Sequence, residues 1–154
     1  MVHRPLFELY RLTSALIWGL ARDYVPGMNL RQYDAFCKKL PATTTVIQWG
    51  EAHVWKVGSK VFAIGREDDG DFTVSFKVSD LAFEILSEQS GCRPAPYLAS
   101  RGLKWIQRYD DDSVDDAALK DYLRESHRLA ALNLTKRARK ELGLGDAGKN
   151  RGNI

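Results

Sequence analysis

Acid–base or metal chemistry in this chain would have to start from three histidines, His3, His53 and His127. None has a carboxylate or thiol at metal-ligand spacing on its own element, so a metal centre has almost no support. Ser126 and His127 are adjacent, and neighbouring helix positions point in different directions, so they do not form a nucleophile–base pair. His53 shares its phase with apolar neighbours and reads as a hydrogen-bonded sheet residue. Cys37 and Cys92 lie far apart without a CxxC spacing, which excludes a zinc knuckle and a dithiol motif and leaves two reduced, buried thiols. The acidic runs Asp110–Asp112 and Asp115–Asp116 lack the glycine and terminal glutamate of an EF-hand; turn and helix-capping roles explain them better. With no GxGxxG, GxxxxGK[ST] or GxSxG pattern, nucleotide and hydrolase readings have no starting point. The expectation is a non-catalytic binding protein with no catalytic residue, metal or cofactor.

Cations and aromatics offer a second kind of chemistry, the capture of anions and the stacking of bases. Arg93, Tyr97, Arg101 and Lys104 cluster around the proline-rich stretch Arg93-Pro94-Ala95-Pro96-Tyr97, and Arg108 follows closely. Trp105 lies between Lys104 and Arg108 in a strand-like segment, so alternation puts Trp105 inward and the two cations on the solvent face. These five residues are the candidate nucleic-acid-binding patch. Lys136, Arg137, Arg139 and Lys140 read first as cations favoured near a helix C-terminus.

The net charge of +3 is unevenly spread. Residues 136–154 hold six cations against two anions and residues 1–27 three against two, which leaves the body at −2. No broad positive field exists for DNA, so any contact must use a local patch or the basic tail.

The elements that would position these residues follow from hydrophobic period. Asn29 with Gln32 fits a capping box, and Leu30, Tyr33, Cys37 and Leu40 recur at helical spacing until Pro41. Strand-like segments then run over Thr43–Trp49 and His53–Val57. Gly58-Ser59 suits a two-residue type II′ turn. That turn predicts Val57 opposite Lys60, Trp55 opposite Phe62 and His53 opposite Ile64, with Trp55, Phe62 and Ile64 on the core face. Phe72, Val74, Phe76 and Val78 alternate strictly. Ser79 caps a helix through Gln89 with Ala82, Ile85, Leu86 and Gln89 inward, and Gly91 stops it. The two prolines of the 93–97 stretch predict an irregular connection, and Leu103–Tyr109 a returning strand. Ser113 reads as the cap of one long helix reaching Leu142.

At 154 residues, with 44% hydrophobic and 28% charged residues, the chain is predicted to form one domain with a real core. Residues 28–142 form that domain and residues 143–154 a flexible basic tail. Pro26-Gly27 sets off the first 27 residues as an extension, read equally as an added helix or as an early start with Met28 the true one. The apolar run Leu12–Ala21 is too short to span a bilayer, and a cytoplasmic location is expected.

The order of elements resembles the YjbR/MmcQ family over residues 28–142. Carrying residues are Leu40-Pro41, Trp49-Gly50, Val57-Gly58, Lys60-Val61-Phe62-Ala63, Phe76-Lys77, Pro94-Ala95-Pro96-Tyr97, Trp105 and the Leu123–Leu129 segment with Ser126. His127 departs from the aromatic, commonly Tyr, that the family has there. The resemblance implies an α+β fold, a two-layer structure in which helices pack on one face of an antiparallel sheet of about five strands, similar to type III secretion chaperones. It also implies a DNA-binding label. A nucleic-acid-binding accessory protein is therefore one expectation; a protein or peptide adaptor using a sheet edge or apolar groove is the other, as a monomer or homodimer.

Overall fold

The reciprocal capping box at Asn29 is formed: its side chain accepts from the Gln32 amide at 2.9 Å, and the Gln32 side chain accepts from the Asn29 amide at 3.1 Å. It opens α1 (Leu30–Lys39), whose buried stripe is Tyr33 and Cys37. Pro41 ends the helix, and the Thr43 hydroxyl donates to the carbonyls of Cys37 and Leu40 at 3.1 and 3.0 Å, satisfying acceptors the helix leaves open. The computed structural model describes residues 27–145. The expectations for the N-terminal extension and for most of the tail fall outside the described residues.

Six strands follow: β1 (Thr43–Gln48), β2 (Ala52–Val57), β3 (Lys60–Asp68), β4 (Asp71–Lys77), β5 (Cys92–Pro94) and β6 (Trp105–Arg108). All pairings are antiparallel, in the order β1-β2-β3-β4-β6-β5. The sixth strand is β5, where prolines had predicted an irregular connection. Proline is tolerated because β5 lies at the sheet edge, with Pro94 as its last residue.

Val57 does face Lys60, but a β-bulge shifts the register beyond it: Lys56 pairs with Val61 and Trp55 with Ala63, leaving Phe62 as the extra residue. His53 therefore faces Gly65, not Ile64. Trp55 and Phe62 belong to the core as expected, whereas Ile64 turns to the other side, outside the core cluster. Gly58, with φ of 56°, provides the positive dihedral the turn requires.

The helices cover one sheet face: α1, α2 (Asp80–Ser87) and α3 (Asp116–Leu132) enclose Tyr33, Phe62, Phe76, Ile106, Leu119 and Leu123 with the inner side chains of the strands. Ser79 caps α2 by accepting from the Ala82 amide. Ile85, expected inward on α2, is 51% exposed, since only Leu86 on this short helix is buried. Asp115, not Ser113, caps α3, accepting from the Ala118 amide at 2.8 Å. The predicted long helix is two: α3 ends at Leu132, and Thr135 caps a separate α4 (Lys136–Glu141). Asn133 and Thr135, whose side chains favour caps over helix interiors, account for the break.

Candidate functional site

An antiparallel meander brings the start of one strand beside the end of the next, and here that gathers cations. Lys60 begins β3, Lys77 ends β4, and Lys104 precedes β6, its carbonyl accepting from the Val78 amide at 3.0 Å. The three lie in sequence across neighbouring strands spaced about 4.8 Å apart. The loop carrying Tyr97 and Arg101 closes over the same end, through bonds from the Leu103 amide to the Leu98 carbonyl and from the Ala95 amide to the Trp105 carbonyl. Beneath the Gly58 turn lie Leu134 and Leu142, so α4, with Lys136, Arg137, Arg139 and Lys140, sits there too. The Gly58 amide donates to the Ala42 carbonyl, which brings in the C-terminal end of α1 with Lys38 and Lys39. A cleft of about 470 Å³ against α4 is lined by Lys136, Arg139, Lys140, Gly143 and Gly145.

The opposite end of the strands is acidic. It holds Glu51, Glu67, Asp68, Asp69 and Asp71 in the turns, and Asp110, Asp111, Asp112, Asp115 and Asp116 before and within the start of α3. Both long helices begin at this end, so carboxylates meet their positive dipole ends and lysines the negative end of α1. Glu67 accepts from the Leu30 amide at 3.2 Å and Asp116 from the Met28 amide at 2.8 Å. Carboxylate oxygens of Asp110, Asp111 and Asp112 lie within 4.8 Å of one another, and Asp112 accepts from the Ser90 hydroxyl. Burial and neighbouring carboxylates push Asp110 up.

The five predicted site residues are therefore divided. Tyr97, Arg101 and Lys104 share the basic end. Tyr97 is 85% exposed and held at φ of 67°, a left-handed conformation costly for a bulky residue. Lys104 lies with its ammonium 4.7 Å from the centre of the Phe83 ring. Arg93 is on the sheet face away from the helices, bonded to Gln107 at 2.7 Å and placed over Tyr109. Arg108 corrects the solvent-face expectation. It pairs with core residue Val74, is 6% exposed, and donates to Asp116 at 3.0 Å. Trp105 is the residue that turns away from the helices, paired with Lys77. The segment hides three residues of four, so its alternation does not disclose which side is the core.

Lys38, Lys39, Lys60 and Lys77 were missed by sequence reasoning. Their signal is positional: each ends a helix or flanks a turn on the same side of the meander.

Two further polar groups tie the site together. Buried Ser126 accepts from the Lys77 amide at 2.8 Å and donates to the Phe62 carbonyl at 2.6 Å, standing between β3 and β4 where their ladder stops. His127 diverges from it, its Nε2 donating to the Pro41 carbonyl at 2.7 Å and its ring meeting Phe62 edge-on. Burial pushes His127 below its ordinary value, against a smaller upward pull from that bond. His53 is hydrogen-bonded as expected, with Nδ1 2.7 Å from Asp34, whose other oxygen accepts from the Trp55 indole at 2.8 Å. Burial raises both the Cys37 and Cys92 thiols, which disfavours the reactive thiolate. No helix among the described residues is long and apolar enough to cross a membrane.

A two-layer α+β fold with an open six-stranded sheet and a cationic end defines the class of protein. Its sequence matches the YjbR family over residues 38–129, and the chain belongs to that family. It is similar to the Deinococcus radiodurans protein DR2400, a DUF419-domain protein, at 26% identity and a TM-score of 0.69, over 82% of this chain and 96% of that one. A protein from Pseudomonas syringae shares the fold at 16% identity and a TM-score of 0.56, over 67% and 99% of the two chains. No curated protein matches the sequence.

Proposed function

We propose that this YjbR-family chain is a non-catalytic protein that binds nucleic acid end-on, through the cationic end of its sheet. The observation that carries the reading is charge segregation. A body of net −2 still gathers Lys60, Lys77, Lys104 and Arg101 at one end, where the α4 cations join them, with most carboxylates at the far end. Such a local field suits phosphates despite the weak overall charge. Tyr97 adds an exposed aromatic face beside these cations, the combination on which unpaired bases stack. Arg93 is a peripheral contributor on the adjoining face. Arg108, spent on Asp116, acts through the fold.

The test is a titration of labelled single-stranded and duplex DNA at low and moderate salt. Replacing Lys60, Arg101 and Lys104 together by Ala is expected to weaken binding at every sequence and to lower the salt slope by about one for each phosphate left without its cation. Arg31→Ala, near the start of α1 and away from the cationic end, leaves binding unchanged. Absence of binding to either DNA at low salt overturns the proposal.

A second reading, a protein adaptor using the sheet edge, is favoured by one observation: β1 is an edge strand, and most of its residues are exposed.

A further inference from the structure

Edge strands normally carry charges, prolines or bulges that discourage pairing with another chain. β1, Thr-Thr-Thr-Val-Ile-Gln, has none of these, and its pairing with β2 is regular throughout. Val46 is 39% exposed and Ile47 62%, and Trp49 just beyond is 60% exposed at φ of 53°. A strand rich in β-branched residues thus presents an unprotected backbone edge.

We propose that β1 pairs antiparallel with β1 of a second copy of the chain, about a twofold axis that passes between the two Val46 residues. The pairing sets Val46 against Val46, Thr45 against Ile47 and Thr44 against Gln48 of the other copy, and it closes on itself as a twofold interface must. The occupant follows from charge. β1 lies along the axis on which charge is segregated: Lys38, Lys39 and Lys56 flank its Thr43 end, Glu51 and Glu67 its Gln48 end. Arg66 at the acidic end is already paired with Asp68, at 3.6 Å. A peptide of one sign suits one end and is repelled by the other. An antiparallel copy places basic beside acidic at both ends. The inference takes up the open edge of the second reading and is independent of nucleic-acid binding.

One six-residue strand buries less than the roughly 1,200 Å² of a stable complex, so the dimer is weak and salt-sensitive. Sedimentation velocity of the full chain from micromolar to millimolar concentration is expected to show a monomer passing to a dimer, shifted towards monomer by added salt. Thr45→Lys with Val46→Lys sets like charges opposite each other at the twofold axis and weakens association roughly tenfold or more. Thr45→Glu with Val46→Glu does the same alone, and mixing the two variants restores a heterodimer. Circular dichroism reports whether each variant folds; if the double lysine variant does not, Val46→Lys alone gives the same readout. Wild-type chain that stays monomeric at millimolar concentration overturns the proposal, as does a folded lysine variant that associates undiminished. DNA titration of the lysine variant keeps the two proposals separable, because its cationic end is intact.

Discussion

Ser126 is one hydroxyl with two backbone partners, Lys77 and Phe62, which lie 49 and 64 residues away in sequence. Ser126→Ala strands a buried amide and a carbonyl and is expected to cost about 1–3 kcal/mol, measured by chemical denaturation. Sequence showed Ser126 as part of a family segment, but a side chain's distant backbone partners leave no local pattern. Asn29–Gln32 and Ser79 were legible because each cap and its partner lie three residues apart. His127 makes a pH prediction. Its folded value is lowered, so the unfolded chain binds the proton first, below about pH 6.5. Its contribution is complete above that pH and is lost as pH falls through 6.5 towards the folded value. His127→Phe should flatten this part of the stability profile in denaturant titrations across pH, and should lose the bond to Pro41.

Among the elements, β3 shows what period alone does and does not fix. Gly58-Ser59 correctly predicted the hairpin and the Val57–Lys60 pair, yet Phe62 is an inserted residue and reverses the facing of those after it. Gly65 consequently turns to the helices, where a Cβ would overlap the Tyr33 ring. Tyr33 is wholly buried, and its hydroxyl donates to the His53 carbonyl at 3.0 Å, so it has little room to yield. Gly65→Ala is expected to destabilise by about 1–3 kcal/mol in thermal melts, with loss of the α1 packing. In the sequence this glycine looks like an ordinary strand residue; its need is visible once α1 is docked. The break at Asn133–Thr135 was legible in residue type, but the apolar period running through it concealed the stop.

For the whole molecule, the family resemblance and the two-layer architecture were readable from the chain, because turn residues, alternation and helix caps agree with one another. The candidate site was readable only in part. Tyr97, Arg101 and Lys104 are close in sequence, but their companions Lys38, Lys60, Lys77 and Lys136 come from four other segments and converge through topology. Arg108→Ala is expected to lower stability more than nucleic-acid affinity, because its guanidinium bonds to Asp116 inside the protein; a melt and a DNA titration on the same variant separate the two. Tyr97→Ala should reduce single-stranded binding more than duplex binding, as loss of a stacking face does.

In the proposed end-on mode, cations at strand ends would stand the protein upright on nucleic acid, and the width of the sheet would set the length it covers. Six strands span about 24 Å, or roughly seven nucleotide steps at 3.4 Å each. Binding density on a long lattice should therefore saturate near one chain per roughly seven base pairs, whereas a molecule lying flat along the strands would set its spacing by strand length.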